Sequence, residues 1–194
     1  MSSMEQVKAL REKTGAGVVE VKKALDEAAG DETKAIEILR KRGQAKAEKK
    51  GGREAREGVI AAYVHSDDHI AVLVKLYCET DFVARNEEFR ELGRDIAIHI
   101  AAAAPEYVKP EDVPETVLEQ ERGLWREQLA NEGKPAEMID KIISGKEEKF
   151  RGDISLLTQA YVKDPSKTVG ELITEKIHKI GENINVGSFV RYEM

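Results

Sequence analysis

The chain has 194 residues, of which 41% are hydrophobic and 35% charged, enough for one medium domain or a small one beside a larger. Thirty-one Lys and Arg against 37 Asp and Glu leave a net charge of −6 with the signs interspersed, which argues against a dedicated nucleic-acid binder and its basic stripe. One cysteine excludes an internal disulfide or a multi-cysteine zinc site. With no long apolar run and no N-terminal signal peptide, the expectation is a soluble, cytoplasmic protein with no membrane contact.

The first 43 residues read as three short helices, with Met4, Val7 and Leu10 on one face of the first. Val18, Val21 and Leu25 share a face of the second, and Ala35, Ile36 and Leu39 a face of the third. Thr14-Gly15-Ala16-Gly17 breaks the first pair, and Gly30-Asp31 supplies a stop followed by an N-cap. Lys41 to Glu57 holds three glycines and no large apolar residue, and residues 40–56 carry 8 basic against 2 acidic side chains. Without an aromatic residue to stack on bases, that stretch reads as a solvated linker rather than an RNA arm. The expected division is residues 1–52, a three-helix module plus basic linker, and residues 53–194, an α+β core.

From Gly58, the runs GVIAAYVH and HIAVLVKLYC flank Ser66-Asp67-Asp68, which predicts a β-hairpin. Asn86 caps a following helix whose stripe is Phe89, Leu92, Ile96 and Ile100, and Pro105 ends it. Residues 115–131 and 135–149 predict an antiparallel helix pair joined at Gly133 and Pro135. A helix over Thr168 to Ile180 and a strand in INVGSFVRYE complete an antiparallel sheet covered by helices on one side.

His65-Ser66-Asp67-Asp68-His69 invites a metal reading, but Asp-Asp at a hairpin tip is turn chemistry and offers no helical i, i+4 aim for two rings. Cys78, in a run of Val, Leu and Tyr, reads as a small buried hydrophobe rather than a nucleophile. His99 and His178 have no carboxylate at an obvious partner spacing, and no phosphate-binding glycine loop occurs. No catalytic residue, metal site or cofactor is expected. In Thr80-Asp81-Phe82-Val83, residue chemistry alone favours Phe82 and Val83 packed beneath the sheet, with Thr80 or Asp81 as a cap.

Two stretches, LREKTGAGVVEVKKAL (Leu10 to Leu25) and CETDFVARN (Cys78 to Asn86), resemble the signatures of bacterial elongation factor Ts, the exchange factors for the translation GTPase elongation factor Tu. YVKDPSKTVGEL and KIGENINVGSFVRYE are similar to that family's C-terminal part, so the resemblance spans nearly the whole chain. It implies that Thr80, Asp81, Phe82 and Val83 enter the GTPase domain beside its Mg²⁺ and loosen GDP. It also implies that Arg11, Val18 and Val19 touch a helix of that domain, with valines where methionines are usual. The length matches members with one copy of the core subdomain, which implies a homodimer. Tyr77 stands where the family usually has asparagine. The reading from another class is an adaptor whose module, similar to the ubiquitin-associated fold, only tethers a partner.

Overall fold

Helix α1 (Met4–Thr14) starts because Ser3 Oγ accepts from the Gln6 amide while the Gln6 side chain accepts from Ser3 N, a closed capping box. The computed structural model describes residues 3–194, so the first two residues of the expected N-terminal module lie outside the described residues. Helices α2 (Val18–Glu27) and α3 (Glu32–Gly51) complete a bundle closed around Val7, Leu10, Val21, Leu25, Ala35 and Leu39. Met4 and Val18, expected on inner faces, are 82% and 47% exposed. The bundle is so short that its core closes on Val7 and Val21, leaving the first turns of α1 and α2 outside.

The basic stretch expected as a linker is, as far as Gly51, the second half of α3. Its alanines, lysines and glutamate are strong helix formers that outweigh about 1 kcal/mol for Gly43. Packing adds to this. Ala47 sits against the main core, and Lys50 Nζ donates to Gly181 O at 2.6 Å. Only residues 52–56 run between this helix and the sheet.

Strands β1 (Glu57–Val64), β2 (Ile70–Cys78) and β5 (Asn185–Glu193) form an antiparallel sheet with β2 in the middle. Period-2 alternation turns Val72, Val74, Leu76 and Cys78 inward. Against them lies α5 (Glu87–Ala103), capped by Asn86, burying Phe89, Leu92, Ile96 and Ile100. Gly93 permits this approach: a Cβ there would lie 2.9 Å from Ala61 Cβ. Helix α8 (Val169–Ile180) adds Val169, Ile173 and Ile177 to the same core. The architecture is α+β, with helices on one face of the sheet.

Between α5 and α8 the chain makes the expected hairpin of α6 (Glu115–Asn131) and α7 (Ala136–Asp153), then a small ribbon of β3 (Ala160–Tyr161) and β4 (Asp164–Thr168). Trp125 meets Phe150 edge-on at 5.7 Å between centroids, and Arg122 bridges Glu115 and Glu147 across the hairpin. The turn of four residues Asp81–Ala84, α4, leaves the end of β2. Among the described residues no helix is long and apolar enough to cross a membrane.

Candidate partner-binding site

Strand β2 runs out of ladder partners at Cys78, so the amides of Glu79 and Thr80 must be satisfied otherwise. Glu182, just after α8, meets both: its Oε2 accepts from Glu79 N and Thr80 N at 3.1 Å each. Its Oε1 accepts from the Thr80 hydroxyl at 2.7 Å, and Thr80 Oγ1 in turn accepts from Val83 N at 3.4 Å as the N-cap of α4. Ala84 is buried and Val83 packs on the core, so the turn is held from below. Phe82 points the other way.

Phe82 is 80% exposed, which overturns the core placement that residue chemistry alone favours. In a single helical turn, adjacent side chains diverge by about 100°, so burying Val83 and Ala84 leaves Phe82 outside. An exposed phenylalanine on a capped turn is apolar surface held in one place without an intramolecular partner. Asp81 beside it pairs with Arg85 at 2.9 Å across the exposed turn.

The other expected contact residues lie on the bundle. Arg11 is exposed in the last turn of α1, and Val18 and Val19 are 47% and 66% exposed at the start of α2. Thr80 to Val83 lie at the turn after β2, whereas Arg11 lies on α1 and Val18 and Val19 on α2. Helix α3 of the bundle is joined to α8 and to the Gly181 loop. Glu20 on α2 receives a hydrogen bond from Lys46 on α3 and lies 2.9 Å from His178 Nε2 on α8. The Lys46 bond is the chief reason the Glu20 carboxyl is held below the usual carboxylate range. Sequence spacing hid this partner of His178, because it lies on a different helix.

The groups weighed for chemistry have structural tasks. Cys78 is fully buried; loss of water, with the nearby Glu182 charge second, pushes its thiol up to about 11, and its Sγ donates to Thr80 O at 3.2 Å. A neutral thiol of that kind is a poor nucleophile. His99 Nδ1 accepts from Val162 N at 3.2 Å and Nε2 faces Gln159 Oε1 at 3.0 Å, while burial pushes the ring below the usual histidine range. At the hairpin tip Asp67 Oδ1 accepts from His69 N at 3.0 Å, and His65 Nδ1 meets the Tyr63 hydroxyl at 2.9 Å. Tyr77, the departure noted above, lays its ring over Gly187 at the β5 bulge, where a Cβ would fall 2.2 Å from a ring carbon.

Sequence reasoning missed Glu182, Asn183 and Lys50. The signal was Gly181-Glu182-Asn183, a polar pair wedged between an apolar helix and a strand, which has no local use for both side chains.

A family model described as elongation factor TS matches residues 2–194. The chain is 55% identical over 194 residues to an elongation factor Ts from Carboxydothermus hydrogenoformans, covering all of this chain and 89% of that protein. It is 55% identical over 193 residues to one from Acetivibrio thermocellus, covering all of this chain and 90% of the relative. A third, from Thermosipho melanesiensis, is 56% identical over 192 residues, with 99% of this chain and 98% of the relative covered.

Proposed function

Because the chain belongs to the elongation factor Ts family, we propose that Phe82, presented by the Thr80 to Val83 turn, is the group with which it opens the nucleotide site of elongation factor Tu. The protein is a guanine-nucleotide exchange factor of translation elongation: it promotes loss of GDP from elongation factor Tu. No covalent bond is made or broken in that process, so the work is differential binding.

Exchange requires that contacts with the partner be stronger when GDP is loosened than when it is seated, and the weakening is reciprocal. Each tenfold takes about 1.4 kcal/mol. Burying one phenylalanine supplies about 1.5–3 kcal/mol, so Phe82 alone accounts for one to two powers of ten. Asp81 accompanies it toward the partner's Mg²⁺, where its pair with Arg85 is exposed and exchangeable at small cost. Arg11, Val18 and Val19 hold the GTPase domain from the bundle, so that Phe82 acts on a tethered partner.

In this division residues 1–52 dock and residues 53–194 carry exchange and self-association, in the cytoplasm with the translation machinery. The observation that carries the reading is a phenylalanine 80% exposed on a turn anchored at Thr80, Val83 and Ala84. The test is release of fluorescent GDP from elongation factor Tu, with and without the protein at saturating unlabelled GDP. Acceleration by the protein is expected, and an unchanged rate overturns the reading.

The homodimer is supported by the outer face of the sheet. Cross-strand rows Ala62–Leu73–Val190 and Val64–Ala71–Tyr192 form an apolar patch with Leu73, Val64, Val190 and Tyr192 exposed. Among the described residues no helix covers this face, and the next row is Ile60–Lys75–Ser188, where a lysine and a serine stand beside the exposed Ile60. Leu73→Lys is expected to convert the sedimenting species from dimer to monomer while the circular dichroism stays unchanged. A wild-type monomer, or a mutant dimer, would remove the idea.

A further inference from the structure

A helix of four residues does not hold itself together, since fixing one turn costs more than its few hydrogen bonds return. Something outside α4 must therefore decide where Phe82 stands. Ala84 and Val83 anchor its C-terminal half through the core, and Asn86 N donates to Val83 O at 2.9 Å. The N-terminal half is held from outside by the Cys78 thiol on Thr80 O, from the strand end next to it, and by the carboxylate of Glu182, 102 residues away from Thr80 in the chain.

That support is reciprocal. Glu182 accepts from two backbone amides and one hydroxyl, and the Glu79 carboxylate accepts from Asn183 N at 2.6 Å. Asn183, almost fully buried, also donates from Nδ2 to Arg53 O at 2.7 Å. Lys50 Nζ on Gly181 O ties the same loop to α3. The clasp also determines how the cap works. A hydroxyl has one proton; because Thr80 gives it to Glu182, only lone pairs face the Val83 amide.

We propose that Glu182 is a positioning residue for nucleotide exchange, acting through Thr80 on Phe82. This rests on the exchange reading above. With the carboxylate present, the turn meets elongation factor Tu already ordered, and the docking step need not order it. Without it, the same contacts form from a looser turn, and the saturated exchange rate falls while the bundle contact, and with it the KM for elongation factor Tu·GDP, is kept.

Glu182→Gln preserves shape but leaves one acceptor oxygen, with an NH₂ turned toward groups that themselves donate. The expected result is a saturated exchange rate lower by about 3- to 10-fold at near-unchanged KM. The decisive comparison is the same substitution in a Phe82→Ala background. If Glu182 acts through Phe82, the second substitution lowers the rate little further; an equal factor in both backgrounds, or a loss that tracks the unfolded fraction by circular dichroism, overturns the proposal. Amide hydrogen exchange of the free protein gives a readout without the partner. Glu79, Thr80 and Val83 are expected to exchange about tenfold faster in Glu182→Gln, as befits loss of hydrogen bonds to a charged acceptor. Unchanged protection there overturns the proposal, whereas an inactive wild type overturns the exchange reading alone.

Discussion

Phe82→Ala leaves thermal unfolding where it is and slows GDP release from elongation factor Tu about 10- to 150-fold, the factor that corresponds to losing 1.5–3 kcal/mol of burial in the complex. The stability half follows from exposure: at 80% accessible, the ring contributes almost nothing to the fold, and surface substitutions away from special features stay within about 0.5 kcal/mol. The activity half follows from the turn. Thr80 caps it, Glu182 holds it, and Val83 and Ala84 anchor it, so the ring is presented without an ordering step. Stopped-flow release of labelled GDP and a melting curve on the same preparation measure both halves. A mutant that melts early, with its lost exchange matching its unfolded fraction, would return Phe82 to the core.

Phe89→Ala has the opposite signature. Seven residues further on, this ring is 0% exposed between α5 and the sheet, packed in the cluster with Val74, Leu76 and Leu92. Truncating it removes transfer energy and leaves a cavity, for about 3–5 kcal/mol. For a chain of this size that lowers the melting temperature by about 6 to 20 °C. Below the new transition, exchange per folded molecule is unchanged, because Phe89 does not reach the partner. Calorimetry against the exchange rate at low temperature checks it, and a rate loss in fully folded mutant would mean that α5 transmits strain to the turn. The pair separates stability from function within one eight-residue stretch, Phe82 to Phe89.

Much of the architecture was legible because local rules and global packing agree. Alternation in GVIAAYVH and HIAVLVKLYC marked β1 and β2, and the 3.6 spacing of Phe89, Leu92, Ile96 and Ile100 marked α5. Asn86, Asp31 and Thr168 announced helix starts that the structure confirms through side-chain caps. Where reading failed, tertiary contacts outweighed local preference. Glycines at 43 and 51 suggested a linker, yet α3 continues because Ala47 and Lys50 find partners on the core. The letters of Thr80 to Val83 read as a buried entry to α5, and residue chemistry alone chose that placement for Phe82, which the fold turns outward.

By itself the sequence marked most of the helices, the antiparallel hairpin and, through two long ordered motifs, the family. Tertiary structure alone decided that Glu182 and Asn183 clasp the end of β2 and that Glu20, Lys46 and His178 join the bundle to α8, and it turned Phe82 outward against the preference of residue chemistry. The physical reason is range. Periodicity and capping act over a few residues and leave their mark in neighbouring letters. A carboxylate satisfying amides a hundred residues away leaves none, since any polar residue in a loop looks the same until the fold brings its donors to it.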